Sequence, residues 1–497
     1  MPVCNMAAGQ TSGRNAMRSV FVAALVVLAS TSIAAQAAPL EIGSRLELFV
    51  DGYLIDSMSG AELKLHPPTP AETVLTFDRP WEGRYVGYVT VIKDGDRHDA
   101  GLYRLYYRGL PMAKADGSNA ETTCYAESRD GLEFTRPSLG ICEIDGSREN
   151  NVILCGAAPF SHNFAPFLDT NPAAPPEQRY KAVAGTESTG LAGFVSPDGI
   201  HWQKLQEKPL ITDGKFDSQN VAFWSETEGC YVCYFRTWSE GGWNGYRTVS
   251  RSTSPDFVNW SPTTQMDFGL TPPEHLYTNQ TRPYVRAPHI YIATAARFMP
   301  GRRVITAEQA VQISSEGTYQ GDCSDTVFMT SRGGNKYDRT FMESFVRPGI
   351  GPSNWTSRTN YPAYGIVETG PDELSMYIQR HYGQPTHHLE RLTLRTDGFV
   401  SVNAPYAGGE MITKPLNFTG ARLVINYATS AAGDIRVELQ DQDGKPIPAY
   451  SLEDADMIIG DEIERTIAWK GKTNLPKPPV RLHFVMKDAD LYSIRFL

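Results

Sequence analysis

A short motif recurs five times along the chain and constrains the fold more than any other feature. Each copy follows tyrosine-rich apolar segments and reads Ser-x-Asp-Gly-x-x-aromatic, or a degenerate version of it. The copies begin at Ser128, Ser196, Ser254, Ser331 and Arg395. Repeats of this length that consist only of strands are typical of propeller blades. We therefore predict an all-β protein with a five-bladed β-propeller, whose central funnel is a natural ligand site.

The N-terminus has the pattern of a secretory leader. Arg14 and Arg18 precede an apolar run over residues 20–33, and Ala35-Gln36-Ala37 is a small-x-small cleavage signal. The run is too short to span a bilayer. We predict a signal peptide over residues 1–37, no membrane span, and a secreted or periplasmic protein.

The cysteines fit an exported protein. Cys142 and Cys155 flank a turn-rich segment, and we expect them to form a disulfide, although sequence spacing alone does not fix connectivity. Cys230 and Cys233 have the spacing of a metal or redox motif. They lie in a predicted strand, however, where positions three apart point to opposite faces. This favours buried structural cysteines, and no metal ligands are assigned.

The amino-acid composition limits the classes of partner that the chain is expected to bind. The net charge is -10, and no basic run or stripe is present. Nucleic acid is therefore not expected as a partner. No cofactor is predicted, and a structural calcium ion on the propeller axis is left open.

The strand pattern divides the mature chain into two parts. Residues 40–404 carry the repeats, and we assign them to the propeller. Strands over residues 46–51 and 53–56 are expected to close the ring against the last blade. After a turn-rich boundary at Pro405, residues 405–497 show six short alternating strands, which predict a β-sandwich.

Several of these segments resemble a known group of enzymes. They are Phe49-Val50-Asp51, Arg79-Pro80-Trp81-Glu82, the Asp-Gly-x-x-Trp hairpins and Phe216-Asp217-Ser218-Gln219-Asn220. Together they resemble exported proteins related to glycoside hydrolase families 32 and 43. The resemblance implies a five-bladed propeller, a C-terminal β-sandwich and hydrolysis of glycosidic bonds. The Asn-Asp-Pro-Asn, Arg-Asp-Pro and Glu-Cys motifs of family 32 are absent, so the resemblance assigns no catalytic residue.

Glycosidic bond cleavage requires a carboxylic acid and a carboxylate on the two sides of the bond. Asp217 directly precedes the predicted innermost strand of blade three and is our candidate base or nucleophile; otherwise it is a turn-capping residue. Glu343 lies among Phe341, Met342 and Phe345, which suits a general acid. Its alternative is a salt bridge to Arg339 or Arg347. Glu82, beside Trp81, is a third candidate, with a rim position as the alternative.

The aspartates of the repeated motif are interpreted differently. Asp130, Asp198, Asp256 and Asp397 recur in several blades, whereas an active site needs each group once. We predict that they accept backbone hydrogen bonds in turns.

Three kinds of position form the candidate binding set: the ends of the second strands, the beginnings of the innermost strands of blades two and four, and a tryptophan beside a glycine-rich loop that could stack on a sugar ring. Several cations at one mouth indicate an acidic or sulfated sugar, because guanidinium groups bind carboxylate and sulfate; the alternative is pairing with local carboxylates. The candidate substrate-binding residues are Arg108, His162, Asn163, Arg236, Trp238, Asn279, Arg282, Arg297, Arg380 and His381.

The leading hypothesis is thus a glycoside hydrolase that acts on a polysaccharide or oligosaccharide, with Asp217, Glu343 and Glu82 as its carboxylates. One alternative is a non-catalytic carbohydrate-binding propeller, which the absent family 32 motifs favour. Another is a sialidase-like or lyase-type enzyme, since sialidases carry similar Asp-box hairpins. Sialidases have six blades, however, and five are counted here.

Overall fold

The computed structural model describes residues 38–95, 101–315 and 317–497 and shows a chain built almost entirely from β-strands. Residues 39–497 form one compact unit. The predicted leader, residues 1–37, lies outside the described residues. Within the described ranges, the helices are too short or too polar to traverse a lipid bilayer.

Five strands precede the first repeat. They are β1 (Leu40–Gly43), β2 (Glu47–Leu48), β3 (Ile55–Ser59), β4 (Glu62–Leu65) and β5 (Thr69–Thr76).

The repeats form five antiparallel sheets, which we call blades 1 to 5. Blade 1 contains β6 (Gly87–Asp94), β7 (Leu102–Gly109), β8 (Thr122–Ser128) and β9 (Val152–Leu154). Blade 2 contains β10 (Ala165–Leu168), β11 (Tyr180–Thr186), β12 (Gly190–Ser196) and β13 (Gln203–Lys204). Blade 3 contains β14 (Val221–Ser225), β15 (Cys230–Trp238), β16 (Arg247–Ser254) and β17 (Thr264–Gln265). Blade 4 contains β18 (Leu276–Asn279), β19 (Arg282–Tyr284), β20 (Ala287–Met299) and β21 (Cys323–Ser331). Blade 5 contains β22 (Pro362–Glu368), β23 (Glu373–Arg380) and β24 (His388–Arg395), together with β5.

The blades follow one another in a closed ring. The innermost strands β6, β10, β14 and β19 contact one another in that order, β20 contacts β22, and β22 pairs with β6 in parallel. At this last junction, a Cβ on Gly365 would lie 2.3 Å from the carbonyl oxygen of Val91, so only glycine fits there. The all-β fold class with a propeller is therefore confirmed.

The strand that closes the ring is not the one that we predicted. We expected residues 46–56 to pair with the last blade. Instead β5 pairs antiparallel with β24 and becomes the outermost strand of blade 5. The expected closing strands β2 and β3 pair with strands of the C-terminal segment. That prediction was wrong because several apolar N-terminal segments had the strand pattern and the sequence did not show their partners.

The C-terminal segment forms a curled sheet around its own core. Its strands are β25 (Val400–Ala404), β26 (Gly409–Thr413), β27 (Leu416–Phe418), β28 (Leu423–Gln440), β29 (Asp461–Thr466) and β30 (Arg481–Phe496). The long strands β28 and β30 pair along most of their length, and their register shifts between Thr429 and Asp434. Each of these two long, bent strands therefore takes the place of two of the predicted short strands. The core includes Val437, Trp469 and Phe484.

The boundary between the two parts is also different in the structure. β1 pairs with β27, β2 with β30, β3 with β26 and β4 with β25. The strands of residues 40–65 and 400–404 thus pair with strands of the C-terminal segment, with β1 and β27 as a separate two-stranded sheet, although the sequence placed these residues in the propeller. The propeller strands begin with β5 and end with β24.

Helical segments are short and lie between strands. The six-residue helix α1 (Ala307–Gln312) begins with a capping box formed by Thr306 and Gln309. Single turns of 3-10 helix occur at Phe160–His162, Pro176–Gln178, Gly317–Tyr319 and Pro352–Trp355.

The repeated aspartates have the predicted turn role in three blades. In blade 1, Asp130 Oδ1 accepts hydrogen bonds from the backbone amides of Leu132 and Glu133, and the Ser128 hydroxyl donates to the same carboxylate. Asp198 and Asp256 make the same contacts in blades 2 and 3. The predicted disulfide between Cys142 and Cys155 is confirmed as well.

The two degenerate copies of the motif have a different role: they bind the C-terminal sheet. Arg332, where the intact motif has its second residue, pairs with Asp51 at 2.7 Å and with Glu47 at 2.9 Å. Glu47 is fully buried. Burial alone would raise its pKa, but His289, Arg332 and Arg45 outweigh this effect and lower the pKa to about 2. Asp397 accepts hydrogen bonds from Tyr284 at 2.7 Å and Ser493 at 3.2 Å.

We expect Arg332→Met to destabilise the protein by about 3–5 kcal/mol, because it leaves two largely buried carboxylates without their shared cation. Chemical denaturation measures the decrease in the free energy of unfolding. The matched control is Arg465→Met, which breaks the exposed pair between Arg465 and Glu462 and should cost less than about 1 kcal/mol. Equal, small effects of both substitutions would contradict the proposed role of Arg332.

Candidate functional site

The innermost strands of the blades begin on one face of the ring, which we call the funnel face. Charged side chains from the loops and strand ends of several blades meet there. We call six of them the funnel cluster; they are Arg108, Asp116, Glu121, His162, Asp217 and Arg236.

Asp217 is the most accessible carboxylate of the cluster, with 47% of its side chain exposed. It follows Phe216, which packs in the core between blades, and precedes strand β14. One carboxylate oxygen lies 3.3 Å from His162 Nε2, and the other accepts a hydrogen bond from Arg236 at 3.1 Å. Burial alone would raise its pKa. His162 and Arg236 outweigh this effect and hold the pKa of Asp217 well below the ordinary value.

Two buried amides fix the backbone on either side of Asp217. The Asn163 side chain donates to the carbonyl oxygens of Phe216 at 2.6 Å and Ser218 at 2.8 Å. Asn220 donates to the same two carbonyls at 3.1 and 2.9 Å. Asn163, predicted to bind substrate, therefore positions the Asp217 loop instead.

His162 connects Asp217 to a second carboxylate. Its Nδ1 lies 2.8 Å from Glu121, and both His162 and Glu121 are buried. Burial by itself would lower the pKa of the imidazole. The hydrogen bonds with Asp217 and Glu121 outweigh burial and raise it. The protonated imidazole is thus stabilised between two acids.

Arg108 lies where three potential metal ligands converge. Ligand atoms of Asp116, Glu121 and His162 lie within 4.8 Å of one another. Arg108 NH1 is 3.1 Å from Asp116, 3.3 Å from Glu121 and 3.2 Å from His162 Nδ1. The guanidinium group therefore fills the position that a metal ion would take in this group of ligands.

Tyr88 covers this part of the cluster. Its ring lies 4.8 Å from the Arg108 guanidinium and 5.4 Å from the His162 ring. The backbone of Tyr88 has a φ of 54°, in the left-handed region that non-glycine residues rarely adopt. Such local strain is concentrated at functional sites.

A second wall of the funnel consists of tyrosines and arginines. Tyr277 lies 5.1 Å from the guanidinium of Arg236 and 5.3 Å from the ring of Tyr361. Arg358 pairs with Asp116 at 3.5 Å and donates to the Tyr382 hydroxyl at 3.3 Å. Blades 1, 3, 4 and 5 thus contribute to one surface around Asp217.

Asp322 lies at the start of β21 and was not predicted from the sequence. Its Oδ1 atom is buried and accepts no hydrogen bond from the described residues. Burial raises the pKa of this carboxyl group above the ordinary aspartate value. A hydrogen bond with Ser357 and the charges of Arg358 and Arg247 only partly oppose the shift.

Arg247 links the environments of Asp322 and Asp217, because its charge interacts with both carboxyl groups. Its guanidinium lies 4.8 Å from the ring of Trp238, 5.4 Å from Tyr277 and 4.9 Å from Phe298. Across the described ranges, the Arg247 side chain has no ion pair, and its Nε atom is buried without a hydrogen-bond partner. Burial and the neighbouring Arg236 lower its pKa. Arg247 is therefore a cation whose charge the protein compensates poorly.

The structure does not bring Glu82 to the funnel cluster. Glu82 is fully buried, and Arg136 binds both of its oxygens at 2.6 and 3.0 Å. The Tyr107 hydroxyl and the amide of Arg79 also donate to it. All of its acceptor sites are used inside the protein, so Glu82 is a structural carboxylate.

Glu343 is also placed away from the cluster. Residues 338–346 bond to the outer side of β21 through Thr326 and Thr330, so they form the outer edge of blade 4. The Glu343 side chain is exposed there, with no hydrogen bond to the described residues. The three neighbouring apolar residues suggested burial, but Phe341 and Phe345 pack into the core while Glu343 faces outward.

Some of the other predicted binding residues lie in or beside the funnel cluster, and the rest lie away from it. Arg108, His162 and Arg236 belong to the funnel cluster, and Trp238 stacks on Arg247. Asn279 bonds to Tyr337 and Thr281, Arg297 pairs with Asp325 and Glu274, and Arg380 pairs with Glu390. His381 is packed against His388, and Arg282 lines a separate cavity. Arg297 and Arg380 are therefore paired with local carboxylates, which was the alternative to substrate binding in the sequence analysis.

The residues that sequence reasoning missed lie in loops. Asp116 and Glu121 belong to the connection between β7 and β8, directly after the predicted Arg108. Arg247 is the first residue of β16, and Asp322 directly precedes β21. Candidates were sought at the ends of second strands and at the beginnings of innermost strands. The same search at the beginnings of the strands that follow the second strands would have found both residues.

No protein-family model and no curated protein matches the chain. Solved structures match it at low identity. One described as a glycoside hydrolase is 10% identical and covers 66% of this chain and 92% of its own, with a TM-score of 0.45. An N-acetylgalactosamine deacetylase from F. plautii in complex with blood group B trisaccharide is 12% identical and covers 68% and 96%, with a TM-score of 0.42. A β-fructofuranosidase from Schwanniomyces occidentalis complexed with fructosyl-erythritol is 13% identical and covers 90% and 98%, with a TM-score of 0.38. At these values, the site must be interpreted from its own geometry.

The contacts of His162 predict how its pKa responds to substitution. We expect Asp217→Asn to lower this pKa, because one of the two carboxylates that stabilise the imidazolium is removed while burial remains. An NMR titration of the histidine ring measures it. Asp198→Asn is the control, since Asp198 pairs with the exposed His201 instead, and it should leave His162 unchanged. An unaltered His162 pKa in Asp217→Asn would contradict the assigned contact.

Proposed function

We propose that the protein is an exported glycoside hydrolase that acts on an anionic polysaccharide or oligosaccharide. Asp217 provides the ionised carboxylate, as base or nucleophile, and Asp322 provides the proton for the leaving oxygen. Asp322 replaces Glu343 as the candidate acid, and Glu82 has no catalytic part. The proposal rests on the environments of these two aspartates.

The single observation that carries the proposal is the opposite behaviour of the two aspartates. The pKa of Asp217 is lowered by His162 and Arg236, whereas burial raises the pKa of Asp322. One carboxyl group is therefore kept charged and the other is kept protonated over a shared range of pH. Hydrolysis of a glycosidic bond needs this division between two carboxyl groups.

The surroundings of Asp217 suit a group that acts while charged. His162 and Arg236 fix the orientation of its carboxylate, and Asn163 and Asn220 hold the backbone on both sides. Almost half of its side chain nevertheless remains exposed. A substrate can thus reach a carboxylate that is already oriented, which lowers the reorganisation required during the reaction.

The surroundings of Asp322 suit a proton donor. Its buried Oδ1 atom lacks a partner in the described ranges, and a protonated carboxyl group has a hydrogen to donate. A glycosidic oxygen placed beside it would accept that hydrogen bond and then the proton. Protonation of the leaving oxygen is the role of the general acid in glycoside hydrolysis.

Arg247 supports the choice of an anionic sugar. It has no carboxylate partner in the described structure, whereas Arg108, Arg236 and Arg358 each pair with an acid. A guanidinium group binds a carboxylate or sulfate with two parallel hydrogen bonds. The flanking Trp238 and Phe298 offer apolar faces on which a sugar ring can stack.

Export is supported by two features. The leader pattern over residues 1–37 is that of a secretory signal peptide. The disulfide between Cys142 and Cys155 belongs in an oxidising compartment. A secreted or periplasmic location would bring the funnel to extracellular glycans.

We expect Asp322→Asn and Asp217→Asn each to lower kcat by about 10²–10⁴-fold, the range of general acid–base contributions. A glycan on which the wild-type protein is active provides the assay. Wild-type activity should fall as pH rises through the raised pKa of Asp322, because the acid loses its proton. On the acid side it should persist below the ordinary aspartate range, since Asp217 stays charged there.

Glu343→Gln is the matched control and should retain full activity, because Glu343 is exposed on the outer edge of blade 4. If glycans bind without turnover and Asp217→Asn leaves binding unaltered, the protein is a carbohydrate-binding propeller and the catalytic assignment is wrong. Full activity of either aspartate variant would also contradict it.

Substitution of Arg247 tests the substrate charge. We expect Arg247→Met to raise KM for a uronic-acid oligosaccharide by about 10–100-fold, the equivalent of one charge-assisted contact. KM for the carboxyl-reduced, neutral form of the same oligosaccharide should change little. Steady-state kinetics with both substrates provide the comparison, and an equal effect on both would rule out charge recognition by Arg247.

A further inference from the structure

A second cavity lies on the propeller axis, away from the funnel face. Its volume is about 320 Å³. All five innermost strand segments contribute to its wall, through Val91, Phe167, Phe223, Arg282 and Tyr364. The wall is largely apolar, and its charged members are Lys93, Glu226, Arg282 and Glu368. Pockets that bind small organic molecules commonly combine apolar walls with a few polar groups.

A belt of buried hydrogen bonds separates this cavity from the funnel. Gln219 donates to the carbonyl of Val89 at 3.1 Å and to Thr90 at 3.0 Å. Gln280 donates to Gln219 at 2.7 Å and to the carbonyl of Pro362 at 3.1 Å. Blades 1, 3, 4 and 5 are thus bridged across the axis. None of the cavity-lining residues belongs to the funnel cluster.

Arg282 is the distinctive residue of this axial cavity. Its guanidinium lies 5.7 Å from the ring centre of Tyr364. Considering residues 38–95, 101–315 and 317–497, its side chain takes part in no hydrogen bond and no ion pair. Burial lowers the pKa of Arg282, and only Tyr364 opposes this effect. An arginine remains protonated in proteins. Arg282 is therefore a cation without an ion-pair partner among the described residues, although Glu226 and Glu368 also line the cavity.

Three comparable arginines of the propeller have acidic partners. Arg104 pairs with Asp94, Arg251 with Glu228 and Arg391 with Glu72 and Glu373. Arg282 is half-buried, and a cation that is partly removed from water without a partner is costly to the fold. The contrast within the same propeller indicates that Arg282 serves a ligand and not the fold.

We propose that the axial cavity binds a small organic carboxylate, with the Arg282 guanidinium holding the carboxylate and the apolar wall holding the body of the molecule. An anion supplies the missing charge, and a guanidinium binds a carboxylate through two hydrogen bonds. Val91, Phe167 and Phe223 favour a ligand with an apolar body over a fully hydrated ion. The site is independent of the proposed hydrolysis at the funnel face.

The experiment uses 4-fluorobenzoate as the probe and the full chain, with binding followed by fluorine NMR. We expect saturable binding, displacement by benzoate and no displacement by benzamide, which has the same shape without the charge. Arg282→Met should weaken binding by about tenfold or more, the equivalent of a charge-assisted contact. Benzoate should also raise the Tm of the wild-type protein, because it binds the folded state.

Arg247→Met is the matched control, since Arg247 is the unpaired arginine of the funnel, and it should leave probe binding intact. Loss of binding in this control but not in Arg282→Met would overturn the proposal by placing the probe in the funnel. Equal displacement by benzamide, or by chloride at the same concentration as benzoate, would overturn the choice of an organic carboxylate. Absence of binding to the wild-type protein in the millimolar range would overturn the site itself.

Discussion

The pairing of β5 with β24 holds the propeller closed, and the remaining features depend on that closure. It supplies blade 5 with its outermost strand from the beginning of the described chain. Closure then brings β22 against β6, where Gly365 allows the two backbones to approach. In a ring closed in this way, loops distant in sequence meet on the axis. The contact between His162 and Asp217 joins blade 2 to blade 3, and the contact between Arg358 and Asp116 joins blade 5 to blade 1.

The distribution of charge on the axis follows one rule with two exceptions. Most buried or half-buried arginines of the propeller have carboxylate partners, which offsets the cost of removing them from water. Within the part of the chain that the structure describes, Arg247 near the funnel and Arg282 in the axial cavity have no such partner. Each lies against aromatic rings, which stabilise a cation less than a carboxylate does. The belt of Gln219 and Gln280 separates the two arginines, so the two proposed anion sites are independent of each other.

The sequence predicted the fold class and part of the candidate site because the features concerned are encoded by residues close together in the sequence. Strand alternation and the repeated hairpins are local signals, so the blades, the turn aspartates and the residues at strand ends, including Asp217, His162, Arg108 and Arg236, could be identified. Glu82 was misassigned because its partner Arg136 is 54 residues away. Glu343 was misassigned because residues 338–346 pair along the outer edge of a blade, which periodicity does not show. The partners of β2 and β3 are more than 350 residues away and left no mark in the local pattern.

The residues with individual roles in this chain are mostly those at which one repeat differs from the others. Where the motif is intact, its aspartate only closes a hairpin, as Asp130 and Asp198 do. Where it is degenerate, Arg332 and Asp397 bind the C-terminal sheet instead. The same reasoning applies to the strands around the axis. Asp217, Arg282 and Arg247 each stand at a position where the other blades have no residue of the same charge, so the repeat itself does not require them. A repeat protein gains function at positions where one blade differs from its neighbours, and in this propeller those positions lie along the axis.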